Sequence, residues 1–202
     1  MQITDVIKLS ELLGEMGHIK RATHLPNGEA EPDSHHGFSL ALIAYHIVKT
    51  ECPELDANMV MLYALVHDLL EILTGDEDTQ HFTPEQHAAK QACEEAAQVE
   101  FDGLFASYPE LLTALHEYDK LDTPEAATVF VLDKTCTVWT WLHHHDMSCH
   151  AIERNIVSKA DVRAWAERQR DKITRRLKVQ PPQAILTIYE QSFQALEDLY
   201  EN

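Results

Sequence analysis

Residues 65–76 read LVHDLLEILTGD, and the rest of the chain is best interpreted from this stretch. It places His67, Asp68, Glu71 and Asp76 in a run that is otherwise apolar and has the periodicity of a helix. Polar groups at the end of a buried helix are costly to leave unpaired. Taken one by one, these residues fit a core histidine and a solvated acidic face. Taken together, they favour a site that holds a divalent metal.

Two further polar residues stand in apolar helical runs. His36 leads into such a run, and its neighbour His35 lies about 100° round the helix, facing outward. Asp133 lies in VFVLDKTC, residues 129–136, where an isolated carboxylate needs a partner. Lys134 could pair with it, although adjacent helical residues point apart. A metal shared with His67 is the stronger account of Asp133.

The composition indicates one globular domain. The chain has 202 residues, of which 45% are hydrophobic and 25% charged. We expect no transmembrane helix, because no run of 18 apolar residues occurs, and no secretory signal in the first residues. The four cysteines are far apart and match no zinc-site spacing, so we expect reduced thiols and a cytoplasmic location.

The hydrophobic period is near 3.6 almost throughout, and convincing alternating strands are absent. We therefore predict an all-α fold, a single domain over residues 1–202 with seven or eight helices and a loop over residues 21–32. The expected helices cover about residues 4–16, 35–51, 56–73, 84–105, 109–118, 124–143, 158–179 and 183–200. We expect Asp33 or Ser34 to cap the second helix, Gly75 to follow the end of the third, a capping box at Thr83, and Ser158 to cap the seventh.

The charge is strongly acidic and unevenly distributed. The net charge is −18; residues 1–153 hold 27 acidic and 7 basic side chains, whereas residues 154–178 hold 9 basic and 3 acidic ones. Such an acidic body argues against binding duplex nucleic acid. For an anion at the site, we expect the cation among the seven, which include Lys20, Arg21 and Lys134. The basic segment could recruit an anionic substrate or a neighbouring subunit, but we prefer a solvated amphipathic helix there.

The ordered set of polar residues resembles the HD-domain phosphohydrolase superfamily and, within it, the YfbR-like 5′-deoxynucleotidases. The resemblance covers about residues 1–145, the expected catalytic core, with C-terminal helices over residues 158–200 packing on it. Arg21 stands fifteen residues before His36, where that subfamily carries its phosphate-binding arginine. Ala22 stands where the subfamily usually has tryptophan. The residues that carry the resemblance are His36, His67, Asp68, Glu71, Gly75, Asp76 and Asp133.

The resemblance implies a mechanism and a substrate. One divalent metal (Co, Mn, Fe, Ni or Zn, with Mg possible) would be held by His36, His67, Asp68 and Asp133. Glu71 would transfer a proton, Asp76 would orient water or Glu71, and Arg21 would bind the phosphate. The substrate would be a deoxynucleoside 5′-monophosphate, and the protein a homodimer that binds neither duplex nucleic acid nor membrane.

Three alternatives stay open at this point. A deoxynucleoside triphosphate triphosphohydrolase could use the same scaffold, although it needs more cationic contacts than residues 1–153 offer. A non-catalytic, metal-stabilised helical module could bind a nucleotide. Finally, His143, His144 and His145 with His150 could bind metal, although three consecutive histidines cannot all face one ion.

Overall fold

The predicted all-α fold is confirmed. The computed structural model describes residues 2–25, 27–77, 82–143 and 156–200. Within these ranges there are eight helices of ten or more residues, one single turn of helix and one two-stranded hairpin. In chain order they are α1 (Ile3–Glu15), β1 (Lys20–His24), β2 (Ala30–Pro32), α2 (Asp33–Glu51), α3 (Ala57–Val66), α4 (Glu71–Thr74), α5 (Pro84–Leu104), α6 (Pro109–Lys120), α7 (Pro124–His143), α8 (Lys159–Arg176) and α9 (Gln183–Asp198).

Helix α7 is the centre of the bundle. All residues from 126 to 133 are buried, so this helix has protein on every side. It contacts α2, α3, α6, α8 and α9, and α2 packs closely on α3. A helix that is apolar all round is expected at such a position. Asp133 is therefore placed in the middle of the core, where its charge must be compensated.

Most helix ends follow their sequence signals. The Thr83 hydroxyl accepts a hydrogen bond from the Gln86 amide, and the Gln86 side chain accepts one from the Thr83 amide, which completes the capping box at α5. The Ser158 hydroxyl accepts from the Asp161 amide at the start of α8. Gly75 ends α4 with φ of 70°, a conformation that favours glycine. These local signals explain why boundaries were predictable within a few residues.

The loop expected over residues 21–32 is instead a short antiparallel hairpin. Lys20 pairs with Pro32 and His24 with Ala30. Gly28 turns the chain with φ of 82°, and its amide donates to the Leu25 carbonyl at 2.8 Å. Strands of five and three residues are too short to show a period of two in the sequence. The hairpin matters because it carries Arg21 towards the start of α2.

The start of α2 also differs from expectation. Neither Asp33 nor Ser34 caps this helix: the N-cap is Pro32, with no side-chain cap bond, and Asp33 lies in the first turn. The Asp33 carboxylate is buried and accepts a hydrogen bond from Arg21 at 3.2 Å. The Asp33 carboxylate is thus stabilised by the charge of Arg21, whereas a capping aspartate would accept hydrogen bonds from backbone amides of the first turn.

The segment Ala57–Thr74 is long and apolar enough to cross a membrane by length and composition alone. Core helices pass the same test. In the structure it is not one helix, because α3 ends at Val66 and α4 begins at Glu71. The predicted continuous helix over residues 56–73 was therefore wrong in the region that matters most for the site.

Candidate metal centre and active site

A tight turn between α3 and α4 brings polar side chains together. The amides of Leu69 and Glu71 donate to the carbonyls of Val66 and Asp68, at 3.0 and 2.9 Å. These bonds span three residues rather than four, as in a 3₁₀-helix, where side chains three apart eclipse. Asp68 and Glu71 therefore project in nearly the same direction, which the ideal α-helix of the sequence prediction did not provide.

His67 is oriented by its own backbone. Its Nδ1–H donates to the carbonyl oxygen of Ala64 at 3.0 Å, and because a carbonyl only accepts, the proton of the neutral ring is on Nδ1. Nε2 lies 3.0 Å from Asp68 Oδ2 and 3.8 Å from Asp133 Oδ1, so it faces both carboxylates. Within the described residues, buried Nε2 has no partner in hydrogen-bond geometry. This orientation is the one that metal-binding histidines use.

His36 and Asp133 meet His67 from two other helices. His36, in the first turns of α2, has Nε2 3.0 Å from Asp133 Oδ1. Its ring centroid lies 5.5 Å from that of His67. All three side chains are at least 94% buried. The prediction that these residues converge from separate helices agrees with the structure.

The potential ligands form two adjoining groups. One donor atom each from His36, His67 and Asp133 lies within 4.8 Å of the others, a spacing that suits one metal ion. Asp33, Asp68 and Glu71 form a second group by the same measure. Asp68 joins the two groups through its 3.0 Å contact with His67 Nε2. The structure thus brings the four predicted ligands together, and the donor set of imidazole and carboxylate fits a transition metal or zinc.

The cluster is arranged to stabilise positive charge. Burial by itself lowers the pKa of His67, but the charges of Asp68 and Asp133 outweigh it and raise that pKa to about 10. Burial by itself raises the pKa of both aspartates. The charge of His67 holds the pKa of Asp68 below its usual range, and that of Lys134 does so for Asp133. A cation among these side chains therefore gains from several carboxylates at once.

Arg21, on β1, reaches directly into this cluster. Its Nη1 donates to Asp33 Oδ1 at 3.2 Å and to Asp68 Oδ2 at 3.0 Å, and Nη2 lies 3.9 Å from Asp133 Oδ1. Burial by itself lowers the pKa of Arg21, but these aspartates raise it well above its ordinary value. Nε, on the same edge of the guanidinium as Nη2, makes no hydrogen bond within the described residues. That edge can bind an anion.

Glu71 and Asp76 face the same cavity. Burial, followed by the charge of Asp68 and by Asp33, raises the pKa of Glu71 to about 11, so Glu71 carries a proton at neutral pH in this environment. Its Oε2 is buried and has no hydrogen-bond partner within the described residues. Burial also raises the pKa of Asp76, while the charge of Arg21 opposes the shift. Glu71 is thus the group best prepared to donate a proton.

This arrangement of histidines and aspartates agrees with the comparison to known families. A family model described as the HD domain matches residues 13–175, which is most of the chain. The chain belongs to the HD-domain family. The match extends beyond the range of the sequence resemblance and includes nearly all of α8.

A solved structure supports the same fold for this HD domain. It comes from Magnetospirillum magnetotacticum MS-1 and is described as a predicted metal-dependent phosphohydrolase. The two structures have a TM-score of 0.69, over 98% of this chain and 97% of the other, at 19% sequence identity. At that identity the similarity shows the fold alone. A comparison with curated proteins gives no match.

The cluster of the HD domain opens into a cavity of about 620 Å³. Its lining includes Arg21, Asp68, Glu71, Asp76 and Asp133, so the predicted site residues share one space. Small-molecule sites have volumes of roughly 300–1,000 Å³. Ala22 also lines this cavity, next to Arg21. Residues of α8 line the same cavity, although the sequence did not predict that they belong to the site.

Two features of the site were not predicted from the sequence: the contact of Asp33 with Arg21, and the position of the α8 cations on the cavity. The preferred interpretation of α8 as a solvated amphipathic helix agrees with the structure, because Arg168, Lys172 and Arg176 are exposed. The spacing of Arg168, Lys172 and Arg176 at intervals of four is a signal that could have revealed a basic stripe. What the sequence did not contain is the direction of that stripe, which depends on how α8 packs against α7.

Two other described histidines, His35 and His143, lie outside this cluster. His35 Nδ1 lies 3.0 Å from Glu31 Oε1 and its side chain is half exposed, so it faces outward as predicted. His143 ends α7 and is exposed. His144, His145 and His150 lie outside the described residues, so the suggestion of a separate histidine cluster stays a prediction.

Proposed function

We propose that this HD domain is a metal-dependent phosphohydrolase. The observation that carries the proposal is the convergence of His36, His67 and Asp133 donor atoms within 4.8 Å, with His67 Nδ1 bonded to a backbone carbonyl. Asp68, 3.0 Å from His67 Nε2, would complete a set of four ligands. The family membership supports this reading, and so does the description of the Magnetospirillum protein as a predicted metal-dependent phosphohydrolase.

A divalent metal held by these residues would lower the pKa of a bound water and polarise the phosphate. Mn, Co, Fe, Ni and Zn suit the mixed ligands better than Mg. Around that centre, the chain's own groups have separate tasks. Arg21 would bind phosphate oxygens through Nε and Nη2, the edge directed away from the Asp33 and Asp68 contacts. Such a two-point contact orients the phosphate.

Glu71 would act as the general acid. Because burial raises its pKa, Glu71 can hold a proton and donate it through Oε1 or Oε2 to the leaving oxygen of the substrate. Asp76, which lines the same cavity, would position Glu71 or the attacking water. The tight turn after α3 keeps Glu71 beside Asp68, so the proposed proton donor lies next to a proposed metal ligand.

For the substrate, we infer a deoxynucleoside 5′-monophosphate from the resemblance to the YfbR-like 5′-deoxynucleotidases. The cavity of about 620 Å³ is large enough for a nucleotide. Ala22, in place of the subfamily's tryptophan, leaves room beside the phosphate. Deoxynucleoside triphosphates are the second candidate, because α8 adds cations to the cavity lining. Homodimer formation and a cytoplasmic location rest on the resemblance and composition, and light scattering tests the first.

The proposal is tested by assaying phosphate release from deoxy- and ribonucleoside 5′-mono-, di- and triphosphates with Mn, Co or Zn. We expect Glu71→Gln to lower kcat by about 10²- to 10⁴-fold while retaining metal binding. Glu95→Gln, the same change at an exposed position on α5, is the matched control. If wild type and Glu71→Gln bind metal and nucleotide but are equally inactive on every substrate, the protein is a binding module instead.

A further inference from the structure

One face of α8 forms a wall of the cavity. The residues of α8 that line it include Trp165, Arg168, Gln169, Lys172 and Arg176. Trp165, Arg168, Lys172 and Arg176 are three or four residues apart, so they follow one stripe along the helix. Trp165 is buried, with its ring centroid 5.1 Å from that of Trp141 on α7, and this contact fixes the rotation of α8. The cations of the stripe therefore face the cavity as a consequence of core packing.

Three of the four α8 cations that line the cavity differ from the other cations of the helix. Arg163 pairs with Glu197 and Arg170 with Glu190, both on α9, and Arg175, which also lines the cavity, pairs with Asp171. By contrast, Arg168, Lys172 and Arg176 make no ion pair with any carboxylate in the described part of the chain. These three side chains are exposed and line one cavity without a protein counter-charge, in a chain with 34 acidic and 16 basic side chains. An anionic ligand in the cavity would supply that counter-charge.

The cationic wall adjoins the metal cluster. Lys134 bonds to Asp133 Oδ2, and its Nζ lies 5.1 Å from the centroid of the Phe130 ring. The guanidinium carbon of Arg176 lies 5.9 Å from the same centroid. Lys134 and Arg176 are thus both close to the Phe130 ring, and Lys134 directly follows the predicted metal ligand Asp133. An anion held there would be next to a phosphate at the cluster.

Lys172 lies among the same charges. The charge of Lys134, followed by burial, lowers its pKa to about 8; Arg176 and Lys90 act in the same direction, and only Asp133 opposes them. Seven of the chain's 16 Lys and Arg side chains line this cavity, against seven of its 34 Asp and Glu side chains. Four of those seven acids are the site residues Asp68, Glu71, Asp76 and Asp133. The part of the lining that α8 contributes holds four cations and one acid, Asp171, so it is predominantly cationic.

We propose that Lys134, Lys172 and Arg176 form a second anion subsite, which binds a phosphate group of the substrate other than the one that is hydrolysed. The inference rests on the proposed phosphohydrolase function and narrows its substrate class to compounds with at least two phosphate groups. It therefore ranks nucleoside di- and triphosphates above the monophosphate inferred from the family resemblance, because that resemblance covers about residues 1–145 and does not include α8. Residues 1–153 hold too few cations for a triphosphate substrate, but α8 supplies the additional cations.

The test compares Lys172→Gln and Arg176→Gln, singly and together, with Arg170→Gln as the control. Arg170→Gln removes the same charge from the same helix, but Arg170 pairs with Glu190 and does not line the cavity. We expect each subsite variant to lose about tenfold in kcat/KM for di- and triphosphates, and less than about threefold for monophosphates. Lys172→Arg should retain the preference. Equal losses for all three substrate classes, or no loss, would overturn the subsite.

Binding measurements separate this inference from the proposed function. By calorimetry on the metal-loaded protein, tripolyphosphate should bind the double variant about 100-fold more weakly than wild type, while inorganic phosphate changes less than about threefold. That result in a protein without hydrolase activity supports the subsite and refutes the function. If wild type hydrolyses nucleotides and the double variant binds tripolyphosphate as tightly as wild type does, the function is supported and the subsite is refuted. Tripolyphosphate, a nucleoside triphosphate and a sugar bisphosphate, assayed in parallel, show whether the phosphates must be contiguous and carry a nucleoside.

Discussion

Replacing Arg21 by methionine should destabilise the metal-free protein much more than the loss of a surface ion pair. Arg21 is the cation that contacts both Asp33 and Asp68, at 3.2 and 3.0 Å. The Asp33 side chain is fully buried, and its second oxygen has no hydrogen-bond partner within the described residues. Arg21→Met keeps the length of the side chain but leaves a buried carboxylate unpaired.

The expected size of the effect follows from that geometry. Removing one partner of a buried ion pair costs about 3–5 kcal/mol in the free energy of unfolding. For a chain of this length each kcal/mol corresponds to roughly 2–4 °C, so Tm should fall by about 6–20 °C. Arg163→Met is the matched control. Arg163 also pairs with a glutamate, but its side chain is 61% exposed, so its replacement should lower the free energy of unfolding by less than about 1 kcal/mol.

The assay is thermal unfolding followed by circular dichroism, with excess chelator and again with Mn. In chelator, Arg21→Met should melt well below both wild type and Arg163→Met. Adding Asp33→Asn should recover most of the loss, because a neutral amide needs no counter-charge. With Mn the loss should shrink, because the metal supplies positive charge to Asp68. A drop in Tm no larger than that of Arg163→Met, or no recovery with Asp33→Asn, would show that Arg21 does not balance Asp33.

Three further measurements address the metal, the cationic wall and the core. Saturating Mn, Co or Zn at about 100 times its Kd should add about 2.7 kcal/mol of stability and raise Tm by about 5–11 °C over chelated protein, and His36→Ala should abolish that rise in the same melting assay. Because repulsion from Lys134 lowers the pKa of Lys172 to about 8, its charged form is penalised in the folded protein, so stability should rise from pH 8 towards pH 10.5. Urea titrations should show this gain in wild type relative to Lys172→Met, and equal slopes with pH would contradict it. Trp165→Ala, at a position 1% exposed, should cost about 3–5 kcal/mol in urea unfolding; a cost below about 1 kcal/mol would mean that α8 is not anchored by this ring.

The elements that could be predicted are those encoded locally. The capping box at Thr83 and the glycine at position 75 act over three or four residues, so they can be recognised without the fold. The burial of α7 also followed from sequence, because an apolar helix interrupted by Asp133 has no other stable place. His36, His67 and Asp133 could be grouped because each was a polar residue in an apolar run.

What could not be predicted depends on distant contacts. The turn after Val66 departs from the α-helix, yet residues 56–73 have strong helical periodicity throughout. Asp33 has a normal capping sequence, and only the approach of Arg21 from the hairpin gives its carboxylate another partner. The basic stripe of α8 was visible, but its direction is set by the packing of Trp165 on Trp141. Each miss concerns a side chain whose environment comes from a distant segment.

The separation between the metal cluster and the α8 wall has an evolutionary consequence. The residues proposed to break the phosphate bond all lie between Arg21 and Asp133, whereas two of the three proposed second-phosphate ligands lie between positions 159 and 176. Substitutions at Lys172 or Arg176 would leave the metal ligands and the bundle core in place. A protein of this kind can therefore acquire a new substrate by changing one exposed helical face, without passing through an intermediate that has lost its chemistry.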